Sequence, residues 1–175
     1  MPAPRLLGVY LNDHLAGATV GAELGHRTVQ EHGDTAYGNE LRNLATEIAQ
    51  DRRALLRIMG EVDVPARRYK VYGAWLGEKL GRAKPNGRLL RRSGLTLLIE
   101  LEALRSGVAG KALLWRALLT MAGDDPRFDR DRLEELRQRA DRQTQTLDSL
   151  HTRAAAGLLA ASERQPSGSS AARSG

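Results

Sequence analysis

Four segments of this sequence repeat apolar residues at alternating steps of three and four, and they form two pairs separated by one long connection. Such spacing places the apolar side chains on one face of a helix. We therefore predict helices over about residues 5–32, 36–61, 94–122 and 126–161, with a connection over residues 62–93. Within each pair the loop is so short that the two helices must be antiparallel neighbours. The order indicates an antiparallel four-helix bundle made of two helical hairpins.

The composition of the 175-residue chain suits packed helices better than a sheet. Leucine and alanine dominate the apolar residues, and only 4% of residues are aromatic, whereas strands favour β-branched and aromatic side chains. A chain of this length with 41% hydrophobic residues can bury one domain-sized core. We predict an all-α fold over residues 1–161. The Ser- and Gly-rich end, residues 162–175, is predicted to be a disordered tail.

Several function classes are excluded by what the sequence does not contain. Cysteine is absent, which excludes disulfides, thiolate zinc sites and cysteine nucleophiles. There is no phosphate-binding loop, dinucleotide fingerprint or serine nucleophile elbow. No apolar run is long enough for a signal peptide or a transmembrane segment. We therefore expect a cytoplasmic protein.

The length of the central connection sets the expected topology. A bundle whose helices simply alternate in direction uses short loops throughout. A connection of about 30 residues instead carries the chain back along the bundle, which is the ferritin-like arrangement. Residues 66–82 place apolar and aromatic residues on one face, which predicts a short amphipathic helix within this crossover.

Three stretches of the chain resemble the ferritin-like four-helix bundle superfamily. They are YLNDHLAGATVGAELGHR at residues 10–27, VPARRYKVYGAWLGEKLGR at residues 64–82 and KPNGRLLRRSGLTLLIELEALRSGVAGKALLW at residues 84–115. Within that superfamily they look most like an uncharacterised bacterial family without an intact di-iron motif. The resemblance covers about residues 6–159. It implies a fold and no activity.

The resemblance directs attention to metal ligands. Ferritin-like di-iron proteins use one Glu from each of two helices and a Glu-x-x-His from each of the other two. This chain departs from that pattern, with Glu-x-x-Gln at residues 47–50, Asp-x-x-His at residues 148–151, and Glu100 and Glu102 in the third helix. The weak candidate ligands for iron or manganese are Glu47, Asp51, Glu102, Asp148, His151 and His14.

A purely structural interpretation of the polar core positions is the one we prefer. Four polar residues would then be satisfied by one another or by Arg105: His14, Asp51, Glu102 and Gln143. Buried polar groups of this kind can fix the register of packed helices. His26 and His32, near the end of the first helix, are expected to interact with the helix dipole. On this interpretation the chain has no catalytic residues and no bound cofactor.

Residues 66–92 carry most of the excess positive charge. They hold nine cations and one acid in a chain of net charge +6. One interpretation is a solvated connector whose aromatic residues pack on the bundle. The other is a partner surface for an acidic protein, a nucleic acid or an anionic membrane. The cations assigned to this partner surface are Arg67, Arg68, Lys70, Lys79, Arg82, Arg88, Arg91 and Arg92.

Glycine also shapes the first helical hairpin. In the first helix, glycines follow one another at positions 17, 21 and 25. Each costs about 1 kcal/mol of helix propensity relative to alanine, so we expect a neighbouring helix to pack closely on this face. Gly33 is predicted to end the first helix, and Asp34 and Thr35 to cap the second.

Taken together, these patterns predict a non-catalytic bundle that serves as a structural or interaction module. Two alternatives remain open. One is a carboxylate-bridged, di-iron-like metal protein, and the other is a protein that binds anionic partners through residues 67–92. The oligomeric state is also open, with a homodimer as one option.

Overall fold

The computed structural model describes residues 5–67, 94–123 and 125–163, and its regular secondary structure there is entirely helical. The four helices are α1 (Arg5–His32), α2 (Gly38–Glu61), α3 (Gly94–Met121) and α4 (Arg130–Glu163). The predicted all-α fold with four helices is confirmed. Within these ranges, no helix combines the length and apolar character needed to cross a bilayer.

Leucine builds the core between the four helices. Helix α1 packs against α2 and α3, and α4 packs mainly against α3. Each fully buried leucine stabilises the fold by roughly 1.5–3 kcal/mol relative to an exposed one. Leucines from every helix are among the most deeply buried side chains: Leu11, Leu41, Leu55, Leu101, Leu118, Leu133 and Leu147.

Contacts between charged side chains show which helix ends lie together. At the end of α2, Glu61 Oε1 lies 2.9 Å from Arg132 Nη1 in the first turn of α4. In the last turns of α1, Arg27 Nη2 lies 3.0 Å from Glu100 Oε1 in the first part of α3. The end of α2 and the start of α3 therefore have different neighbours within the bundle.

The turn between α1 and α2 is closed by Thr35. Its hydroxyl donates to the His32 carbonyl oxygen at 2.7 Å and accepts from the Tyr37 N–H at 3.3 Å. Helix α2 begins at Gly38 without a side-chain cap. The prediction that Asp34 and Thr35 cap α2 is therefore wrong, because the Thr35 hydroxyl serves the end of α1 instead.

Gly38 is required by how closely the same turn folds back on itself. A Cβ at this position would lie 1.8 Å from the Gly33 carbonyl oxygen. That oxygen also accepts a hydrogen bond from Arg42 Nη1 at 2.7 Å. Any side chain at this position would force the backbone of the turn to shift.

Helix α4 starts at Arg130, later than the predicted start at residue 126. Asp129 supplies the cap, since its Oδ1 accepts from the Arg132 N–H at 3.1 Å. Before it, Asp125 Oδ1 accepts from the Arg127 N–H at 3.0 Å. Aspartate side chains that bond the backbone in this way favour a turn over a helix, which delays the helix.

Asn12 fixes the chain where it leaves α2. It is buried, its Oδ1 accepts from the Arg67 N–H at 2.7 Å, and its Nδ2 donates to the Pro65 carbonyl at 3.2 Å. The predicted amphipathic helix at 66–82 and the rest of the crossover lie almost wholly outside the described residues. Of the predicted tail, residues 162 and 163 belong to α4, and the others are also outside the described ranges.

Candidate functional site

A cluster of charged and amide side chains crosses the bundle interior. We call it the polar layer and define it as Glu47, Asp51, Lys111, Arg139 and Gln143. Lys111 Nζ donates to Asp51 Oδ2 and to Gln143 Oε1, each at 2.5 Å. The side chain of Asp51 is 1% exposed and that of Lys111 is 11% exposed. An ion pair at this depth is held in place by helices α2, α3 and α4 together.

The remaining bonds of the polar layer connect its amide and its second cation. Gln143 Nε2 donates to Glu47 Oε2 at 3.0 Å and to Asp51 Oδ2 at 3.1 Å. The Arg139 guanidinium forms an ion pair with the other Asp51 oxygen, Oδ1. Two cations therefore face two carboxylates. The layer is close to neutral, as a low-dielectric interior requires.

Burial determines the protonation behaviour of Lys111. Loss of hydration lowers the pKa of Lys111 below its ordinary value, and the nearby Asp51 carboxylate opposes that shift only in part. Desolvation favours the neutral amine, whereas an opposite charge favours the ammonium.

Lys111 also lines a cavity of about 310 Å³ between α1, α2 and α3. This volume is in the range of small-molecule sites in proteins. Asp13, Gly17 and Gly107 line it and are exposed, so the cavity opens to solvent along α1 and α3. Much of its wall consists of small residues: Gly17, Ala18, Gly21, Ala103, Gly107 and Gly110.

Two aromatic residues, His14 and Trp115, also line the cavity. Trp115 is fully buried, and its Nε1 has no hydrogen-bond partner among the residues that the structure describes. His14 stands edge-on to the Tyr10 ring, with centroids 4.6 Å apart. Burial lowers the pKa of His14, against a smaller opposing effect of Asp13, so neutral pH favours the uncharged imidazole.

The glycines of α1 serve two different purposes. A Cβ at Gly25 would lie 3.4 Å from Ala45 Cα, so the expected close packing occurs there, against α2. A Cβ at Gly17 would have no atom within 4 Å among the described residues, and the same holds for Gly107 and Gly110 on α3. These three glycines leave the cavity open instead of bringing helices together.

The structure divides the candidate metal ligands among separate places. Glu47 and Asp51 both accept from Gln143 in the polar layer, and Lys111 Nζ bonds Asp51 there. Glu102 Oε1 lies 3.0 Å from His151 Nε2 on the surface, with side chains 63% and 40% exposed. The other two candidates are elsewhere: Asp148 pairs with Arg105 on the surface, and His14 lines the cavity.

The predicted mutual satisfaction of the core polar residues is correct for one pair and wrong for the others. Asp51 and Gln143 share a hydrogen bond. Glu102 is exposed, because α3 turns it outward. Arg105 bonds Asp148 at 3.1 Å and not a core group. Lys111 and Arg139, and not Arg105, are the cations that pair with the polar core residue Asp51.

The described residues include only the first member of the predicted partner surface. Arg67 is exposed, and its backbone N–H is held by Asn12. The others, Arg68, Lys70, Lys79, Arg82, Arg88, Arg91 and Arg92, lie outside the described ranges. The basic crossover therefore stays a prediction.

The sequence analysis assigned no role at a site to Lys111 or Trp115, although a signal for both was present. The buried residues Leu104, Val108, Trp115 and Leu118 recur at helical spacing, and Lys111 falls between Val108 and Trp115 at steps of three and four. A lysine on an apolar stripe requires a buried acid, and Asp51 was already on the predicted core face.

No family model, curated protein or solved structure matches this chain.

Proposed function

We propose that this protein is a non-catalytic helical interaction module that binds a small, neutral, largely apolar molecule in the cavity beside Lys111. The observation that supports this is the meeting of three features in one wall. The cavity is of ligand size, it is lined mainly by apolar groups, and its lining residues include the partly buried Lys111 and the fully buried Trp115, which both carry hydrogen-bond donors.

The buried indole N–H of Trp115 indicates what the molecule must offer. A buried donor without a partner costs about 1–3 kcal/mol. A ligand with a hydrogen-bond acceptor that reaches Trp115 Nε1 or Lys111 Nζ recovers part of this energy. Specific pockets commonly combine an apolar wall with a few such polar groups.

The charge of the wall argues for a neutral ligand. Asp51 already lies against Lys111 Nζ, and Glu47 is bonded to the same layer. A ligand carboxylate would therefore approach an ammonium group, on Lys111, that is already neutralised by Asp51. It would also lose its hydration on entering the cavity. A carbonyl or a heteroaromatic nitrogen does not carry that cost.

We further propose that the bundle has ferritin-like topology, with α2 and α3 running in the same direction. Support comes from the different neighbours of the end of α2 and the start of α3. The end of α2 lies beside the start of α4, and the start of α3 lies beside the end of α1. A connection over residues 62–93 is long enough to join points at opposite ends of helices roughly 36–42 Å long.

Quinoline and naphthalene provide a matched pair of probes for the cavity. They have nearly the same shape, but only quinoline carries an acceptor nitrogen. Calorimetric titration of the full chain is expected to show binding of both, with quinoline several-fold tighter because it can accept from a buried donor. Equal affinities would contradict the assigned role of the donors.

Variants that fill the cavity locate the binding. Gly110→Leu puts a side chain where a Cβ meets nothing within 4 Å among the described residues, and it should weaken quinoline binding at least tenfold. Gly60→Leu is the matched control, since Gly60 is equally open but lies on α2 away from the cavity. Both variants gain helix propensity alike. If both bind quinoline as the parent does, or if the parent binds neither probe, the proposal is wrong.

A further inference from the structure

Three side chains at the junction of α1 and α3 form a second polar group, separate from the polar layer. Glu31 and His32 are the last residues of α1, and Glu100 lies in α3. One potential ligand atom from each lies within 4.8 Å of the others. Among the described residues, no other group of three His, Asp or Glu side chains meets this condition.

The buried pair within this group lacks the contacts that buried polar atoms normally have. The side chains of His32 and Glu100 are each 5% exposed, and His32 Nε2 lies 3.7 Å from Glu100 Oε2. That distance is too long for a hydrogen bond. Within the described ranges, neither atom has another hydrogen-bond partner. Buried groups left in this state cost free energy, so the gap between them calls for an occupant.

We propose that Glu31, His32 and Glu100 bind one divalent transition-metal ion of the zinc type. Zinc accepts imidazole nitrogen and carboxylate oxygen at about 2.0–2.2 Å. Two atoms 3.7 Å apart can both reach an ion at that distance, with an angle of roughly 120° between them. Rotation of the half-buried Glu31 side chain brings the third ligand in. A set of three protein ligands leaves a further position for water.

Neighbouring groups orient the Glu100 carboxylate and fix the main chain at His32. Arg27 donates to Glu100 Oε1 from Nε at 3.2 Å and from Nη2 at 3.0 Å, which leaves Oε2 for the metal. The Thr35 hydroxyl and N–H both bond the His32 carbonyl. Ligating carboxylates are commonly oriented by such hydrogen bonds.

The charges of the group also suit a divalent cation. Two carboxylates and one guanidinium give a local charge of −1 before an ion binds. A protonated His32 would neutralise that charge, but at 3.7 Å it would make no hydrogen bond to Glu100. A metal ion supplies the positive charge and a bond to each buried atom.

The chain provides its own control for this site. His151 and Glu102 also pair a histidine with a glutamate, at 3.0 Å, but they lie on the surface. Because this surface pair has no third ligand among the described residues, it should bind zinc weakly. His151→Ala therefore removes one histidine while leaving the proposed site intact.

Titration of zinc into the metal-stripped full chain, followed by calorimetry, tests the proposal. The expected result is one equivalent of tight binding that weakens at least tenfold in His32→Ala and in Glu31→Gln, and is unchanged in His151→Ala. X-ray absorption of the bound zinc should show an imidazole that His32→Ala removes. Glu31→Gln keeps the shape of a half-buried side chain, so it reports on binding even where His32→Ala destabilises the fold.

Two results would overturn the proposal. One is no zinc binding at one equivalent, which would assign the gap to water or a proton. The other is equal loss of binding in His32→Ala and His151→Ala, which would assign zinc to the histidines in general. Neither result bears on the cavity, because that test uses neutral organic probes and Gly110.

Discussion

Lys111 Nζ lies 2.5 Å from Asp51 Oδ2, and the two residues come from helices that are separated by the whole central connection. The contact joins the two halves of the chain inside the core. Because Asp51 is almost fully buried, its charge depends on Lys111 and Arg139 for compensation. This pair therefore offers a direct test of how the halves are held together.

Removing the Lys111 ammonium should destabilise the bundle. In Lys111→Met the side chain keeps a similar volume, but Asp51 Oδ2 and Gln143 Oε1 lose the ammonium donor, and Asp51 Oδ2 retains only Gln143 Nε2. We expect a loss of about 3 kcal/mol in the free energy of unfolding, measured with urea, because a buried charge loses a partner. The exposed pair of Arg105 and Asp148 is the control, and Arg105→Met should cost less than about 1 kcal/mol.

A double variant separates the charge from the packing. Asp51→Asn in the Lys111→Met background removes the uncompensated carboxylate, so it should recover part of the lost stability. Residues in contact show such non-additive effects. Additive losses would mean that the two side chains do not interact energetically.

The lowered pKa of Lys111 predicts an alkaline pH dependence. Burial lowers the pKa in the folded state below 10.5, so between the lowered value and 10.5 the unfolded chain binds more protons than the folded one. Stability due to this group therefore rises with pH in that window. The unfolding free energy of the parent, relative to that of Lys111→Met, should therefore increase as the pH rises towards 10.5. Parallel curves would contradict the shift.

Glu134 should titrate far below an ordinary glutamate. Hydrogen bonds from Arg137, with a smaller contribution from Gln138, lower the pKa of Glu134 to about 2. Any stability from this group is present above its ordinary value of 4.5 and is lost as the pH falls through about 2. Carboxyl NMR titration of Arg137→Gln should return the pKa towards 4.5. A value that stays near 2 would show that Arg137 is not the cause.

Gly38→Ala should disrupt the turn between α1 and α2. The new Cβ would overlap the Gly33 carbonyl, so the backbone must open. We expect a loss of at least about 2 kcal/mol, in the class of strained backbone positions. Thermal and urea unfolding would measure it. Gly60→Ala is the matched control and should stabilise α2 by about 1 kcal/mol; equal effects would contradict the turn geometry.

The fold class could be predicted from sequence because apolar periodicity is local information. Each helix carries its own stripe, and the four helices follow from it. Asp51 and Gln143 were also identified as polar core positions for this reason. Their partner Lys111 was missed because pairing across α2 and α3 depends on how each helix is rotated, which periodicity gives only coarsely.

The contact between His32 and Glu100 could not be predicted from periodicity either. It was assigned to the helix dipole, since it ends α1. Its burial continues the stripe of Leu24, Gly25 and Thr28, but its neighbour Glu100 comes from α3. Only the packing of two helices could reveal that the imidazole faces a carboxylate.

Asn12 gives the central connection a fixed point of departure. Its carboxamide pairs with the main chain at Pro65 and Arg67 much as a neighbouring strand would, through one donor and one acceptor. Even for a fully flexible chain, shortening the segment from 32 to 26 residues changes the closure entropy by only about 0.2 kcal/mol. Arg67, the first cation of the basic segment, is therefore held at a defined position beside the first half of α1.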